Sequence, residues 1–135
     1  MWEFFALMGA GGLALGYLAH QNAKEWEAEN GRFLNYAARQ YDFKSTGQLH
    51  LNGRNLILFD DKQQQFLAIA NGLRKVYPYH LVTAARAIQQ NSQSSVVDVE
   101  LDVSDTNTPM LSFRSEGHTP SFILAKLKAH IKHLV

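Results

Sequence analysis

Val97, Val99, Leu101 and Val103 alternate with Asp98, Glu100 and Asp102. A period of two puts four apolar side chains on one face of an extended chain and three carboxylates on the other, which specifies a strand with one buried and one wet face. The rest of the chain has to supply the sheet around this strand and the layer that covers its apolar side.

Two Asn-Gly dipeptides, Asn52-Gly53 and Asn71-Gly72, lie between apolar segments. Asn-Gly tolerates the positive φ angles of a type I′ turn and is a strong local signal for a hairpin. The first is expected to join residues 48–51 to 54–59 and the second to join 65–70 to 73–77, with Asp60-Asp61-Lys62 turning between them. Together these form a four-strand antiparallel meander. Residues 81–89 contain Ala84-Ala85-Arg86-Ala87, which suits a helix, while their length and context suit a strand. Residues 97–103 and 110–114 complete the strands. Thr119-Pro120-Ser121 then reads as an N-cap followed by proline at the first helical position. It opens a helix with Ile123, Leu127, Ile131 and Leu134 in one apolar stripe.

The chain begins differently. Residues 4–19 are uncharged and largely apolar, and as a helix they rise roughly 24 Å, slightly less than the roughly 30 Å hydrocarbon core of a bilayer. Trp2 and Tyr17 near the two ends suit the water interface. Glu3 is the only early charge, so no basic region of a cleaved signal peptide precedes the run. The expectation is a transmembrane anchor over 1–20. Lys24, Arg32 and Arg39 follow the run and none precede it, which places the C-terminal domain in the cytoplasm and the chain as a single-pass protein of the inner or cytoplasmic membrane. Gly9, Gly12 and Gly16 share one helical face and offer a packing surface in lipid. Gly9-x-Gly11-x-x-Ala14 also matches part of a dinucleotide fingerprint, but no second parallel strand follows at the required distance. Residues 21–46 are expected to form a helical stalk and linker, leaving one domain over 47–135.

The 13 basic and 12 acidic residues leave a net charge of +1, too little excess for a dedicated nucleic-acid binder. The sequence contains no cysteine, which excludes disulfides, thiol catalysis and thiolate metal sites. Asp98, Glu100, Asp102 and Asp105 form an acidic stretch, and Arg114, Lys126, Lys128 and Lys132 a basic C-terminal quarter; the simplest expectation is that these complement each other within the fold.

Seven antiparallel strands followed by one amphipathic helix is an element order that resembles the pleckstrin-homology superfold. The segments Leu56-Ile57-Leu58-Phe59-Asp60-Asp61, Phe66-Leu67-Ala68-Ile69 and Val76-Tyr77-Pro78-Tyr79-His80-Leu81 look like strands of small bacterial PH-like domains of unassigned role. The resemblance implies a fold of class α+β, with the N-terminal transmembrane and stalk helix followed by a seven-strand antiparallel bent barrel closed by the C-terminal helix. It also implies a role in binding lipids, peptides or partner proteins. Phosphoinositide-binding members hold the headgroup in a roomy first loop. Here that connection is the tight Asn52-Gly53 turn with the single Arg54, which favours a protein partner.

Chemistry is sparse in the sequence. His130 and His133 share a helical face but lack further metal ligands at a recognisable spacing, and Asp60-Asp61 reads as a solvated turn. There is no nucleophile elbow, P-loop or zincin signature. No enzyme activity, catalytic residue, cofactor, metal or small-molecule substrate is expected. Candidate partner-binding residues are Arg74, Lys75, Tyr77, Tyr79 and His80, the densest aromatic and basic cluster. Candidate lipid-facing residues are Lys126, Lys128 and Lys132. The leading expectation is a membrane-anchored, non-enzymatic adaptor or assembly subunit that binds a protein partner and self-associates through its glycine face. An anionic-lipid-sensing surface module is one alternative, and a soluble enzyme with an N-terminal nucleotide-binding segment is the other.

Overall fold

The structure, a computed structural model, describes residues 20–70 and 72–134. Along the chain run helix α1 (His20–Gln40) and strands β1 (Gly47–Asn52), β2 (Asn55–Asp60), β3 (Gln65–Ala70) and β4 (Leu73–Pro78). A single 3₁₀ turn, Tyr79–Leu81, leads into β5 (Val82–Gln89), β6 (Val96–Val103), β7 (Met110–Glu116) and helix α2 (Pro120–His130). The segment left open between helix and strand, 81–89, is a strand.

β1 to β4 form one antiparallel sheet and β5 to β7 a second, each in sequence order. The second hairpin falls where its sequence signal puts it. Ala70 pairs with Leu73, and Gly72 adopts φ +87°. The first is displaced by one residue: Asn52 pairs with Asn55, so the turn is centred on Gly53-Arg54. The Asn52 side chain causes this. Its Oδ1 accepts from the backbone N–H of Arg54 at 2.7 Å and of Asn55 at 2.9 Å, an Asx arrangement that closes the turn from the side chain.

The inner faces of the two sheets and α2 share one core. Ile57, Phe59, Phe66 and Ala68 face Val97, Val99, Leu101, Leu111 and Phe113, and Ile123 and Leu127 of α2, with Ile131 at its C-cap, complete the cluster. The N-cap forms as its sequence indicates: Thr119 Oγ1 accepts from Phe122 N at 3.2 Å, with Pro120 in the first turn. A second cluster lies on the outer face of the first sheet, where Leu56, Leu58, Leu67, Ile69 and Val76 pack against Leu34, Ala37 and Phe43.

That cluster corrects the expected architecture. The expectation was a transmembrane and stalk helix leading into a PH-like bent barrel. Among the described residues no helix is long and apolar enough to cross a membrane. The helix read as a stalk instead lays Leu34 and Ala37 onto β2 to β4, because six consecutive buried positions in each of β2 and β3 leave both faces of the sheet needing cover. The seven strands divide into two separate sheets, and among the described residues no ladder closes them into a barrel. β7 is stitched to the β1–β2 hairpin by side chains: Asn52 Nδ2 of β1 donates to the Arg114 carbonyl at 2.5 Å, and Arg114 N–H donates to Asn55 Oδ1 of β2 at 3.1 Å. The anchor over 1–20, with Gly9, Gly12 and Gly16, lies outside the described residues apart from His20.

Candidate partner-binding groove

β1 is an edge strand of its sheet, and its alternation sends Leu49 and Leu51 into the core while Gln48 and His50 remain partly exposed. After β7 the chain turns at Gly117, whose φ of +87° is a left-handed conformation that a side chain would strain. This turn brings His118 back to β1. Its Nε2 donates to the His50 carbonyl at 2.9 Å, and its ring stacks on Phe122, with centroids 4.9 Å apart and planes 21° apart. Between β1, His118 and the first turns of α2 lies a groove of about 300 Å³, lined by Gln48, Leu49, His50, His118, Phe122 and Lys126.

Phe122 is 47% exposed, an arrangement a helix facing only its own core does not require. His50 is half-buried, and its Nε2 has no hydrogen-bond partner among the described residues. Burial, and then the neighbouring His118, hold its pKa below the ordinary histidine value. Lys126 is half-buried in the groove wall and takes part in none of the ion pairs among the described residues.

A histidine–carboxylate pair lies at the far end of α2. His130 Nδ1 is 2.9 Å from both oxygens of Asp61, and Tyr79 donates its hydroxyl to Asp61 Oδ1 at 2.7 Å. Burial pushes the Asp61 carboxyl up, but the hydrogen bonds from Tyr79 and His130 outweigh it and hold the pKa below the ordinary value. Such a pair acts as a general base only if the other ring nitrogen reaches a substrate or nucleophile. Here the His130 ring stacks on Phe59 at 4.0 Å, and its Cε1 and Nε2 press against Gly47 so closely that a Cβ there would sit 2.6 Å and 2.8 Å from them. The pair fastens α2 to β1 and to the turn after β2.

The residues singled out in the sequence are dispersed. Arg74 Nε donates to Asn30 Oδ1 on α1 at 2.5 Å. Lys75 pairs with Asp105 at 2.8 Å and lies 5.0 Å above the Tyr77 ring. Tyr77 and Tyr79 are buried and stack on Phe66, and His80 alone of the aromatic run is exposed. Of the three lysines expected to face lipid, Lys126 lines the groove, while Lys128 on α2 and Lys132 just past it are exposed. His133 Nε2 donates to the Val82 carbonyl at 2.6 Å, so it does not converge with His130, and no cluster of three metal-ligating side chains occurs among the described residues. The acidic stretch finds one of its expected partners, with Asp98 3.8 Å from Arg114. Glu100 and Asp102 pair instead with Arg86 and Asp105 with Lys75. Phe122 carried the one local hint of the groove: it stands about 100° from the Ile123–Leu127–Ile131 stripe, where a large aromatic has no core to enter.

No family model matches the chain, and no curated protein or solved structure matches it. None of the comparisons ties it to the PH-like family.

Proposed function

We propose that this chain is a non-enzymatic binding module, an adaptor or assembly subunit, that receives a protein partner in the groove between β1 and α2. The exposed Phe122, held upright by His118 beside Leu49, carries this reading. Aromatic anchors in a partly desolvated recess, with a polar rim, are where binding energy concentrates at interfaces. The cluster expected from the sequence offers less, since Tyr77 and Tyr79 are spent on the core.

Photo-crosslinking in the cells that make the protein tests this reading. Benzoylphenylalanine at Ala129, exposed one turn past Lys126, is expected to yield a discrete adduct that disappears when Phe122→Ala is added. An adduct indifferent to Phe122→Ala, or one equally formed from the remote position Gln90, rejects the groove. Exposed Lys128 and Lys132, with no ion pair among the described residues, support a second reading as a contact for anionic lipid at about 1 kcal/mol per lysine. Sedimentation with phosphatidylserine vesicles, compared with neutral ones, separates it from the first.

A further inference from the structure

The groove has a charge pattern that narrows what it accepts, given that it is the binding site. Each of its titratable residues is a base: His50 on β1, His118 on the connecting turn and Lys126 on α2. Among the described residues no carboxylate lines it. Of the acids elsewhere, Asp61 is engaged by Tyr79 and His130, Asp98 by Arg114, and Glu100 and Asp102 by Arg86. Lys75, Arg86 and Arg114 each have a carboxylate within 3.8 Å, whereas Lys126, although half-buried, has none among the described residues. A carboxylate entering the groove would therefore be the first counter-ion of a partly desolvated ammonium.

Spacing narrows it further. Phe122 and Lys126 are one helical turn apart on the same side of α2, a rise of about 6 Å. In an extended chain, side chains two residues apart point the same way and lie about 6.6 Å apart. We propose that the groove takes an extended segment of a partner protein with an apolar residue followed two positions later by an aspartate or glutamate. The apolar side chain packs on the exposed ring of Phe122, and the carboxylate meets Lys126.

A phage-displayed library of random decapeptides, panned on the immobilised full chain, reads this pattern directly, and fluorescence anisotropy on the selected peptides quantifies it. Peptides whose binding requires Phe122 are expected to be enriched in Leu, Ile or Phe two positions before Asp or Glu. Lys126→Glu is expected to weaken them at least tenfold, and Lys132→Glu less than twofold. An unchanged thermal melt for each variant establishes that the fold is retained. Peptides that need Phe122 but carry no acidic residue, or that lose no more to Lys126→Glu than to Lys132→Glu, overturn the acidic pattern and leave the groove standing. If no selected peptide depends on Phe122, both the pattern and the groove fall.

Discussion

The two sheets use the same antiparallel ladder and differ in what lies outside them. In the first, β2 and β3 are buried at every position, with α2 and the second sheet on one side and α1 on the other. In the second, β6 and β7 alternate buried with partly or fully exposed positions, and the outer face carries Asp98, Glu100 and Asp102 braced by Arg86 and Arg114. One sheet is the middle layer of the protein, and the other is its wall. Substitutions in the middle layer are felt on two sides, whereas those on the wall's outer face meet water.

The largest test of this contrast is Leu67→Ala against Met110→Ala. Leu67 is fully buried beneath α1, and its truncation is expected to cost about 2–5 kcal/mol in urea unfolding. Met110, 43% exposed on the outer face of the second sheet, is expected to cost under about 0.5 kcal/mol. Similar costs at the two positions would break the comparison. Next in size is Gly47→Ala, expected to cost about 1–3 kcal/mol because the new Cβ presses on the His130 ring. In a double-mutant cycle His130→Ala should recover part of that loss, and strict additivity would show that the two do not touch. Thr119→Ala removes the N-cap of α2 and is expected to cost about 1 kcal/mol, measured the same way.

The smallest effects are on pH dependence. His50 has a folded pKa below its ordinary value near 6.5, so the unfolded chain binds more protons in that window, and stability falls as pH drops below about 6.5. Melting temperatures from pH 7.5 to 5 should fall less steeply in His50→Gln. Asp61 is also lowered, from about 3.8. Its contribution is complete above that value and is lost as pH falls through the lower folded pKa, so Asp61→Asn should flatten the melting profile below pH 4. Parallel profiles for wild type and variant would remove that carboxylate from the balance.

β6 was legible in the sequence because an alternating pattern encodes its own burial, whereas β5, rich in alanine, was open between helix and strand. Val97 to Val103 names the inner face, the outer face and the strand at once. The runs Leu56-Ile57-Leu58-Phe59 and Phe66-Leu67-Ala68-Ile69 located two strands, but what covers their second face comes from Leu34 and Ala37, some 20 to 30 residues upstream. A continuous apolar strand calls for two covers without saying where they come from. The same limit hid the groove, which exists only because the Gly117 turn sets His118 beside His50, 68 residues earlier. Tyr77 and Tyr79 misled for the opposite reason: aromatic density in a strand reads alike whether the rings face a partner or Phe66.

Asn52 and His118 occupy the flank of β1 where another strand would otherwise hydrogen-bond. They act as stoppers, keeping an edge of the middle layer from templating a neighbouring molecule. A ladder edge blocked by two side chains is a lightly guarded one. The safeguard against fibrous assembly thus rests on residues that contribute little to the core, and a lineage could lose it without first losing the fold.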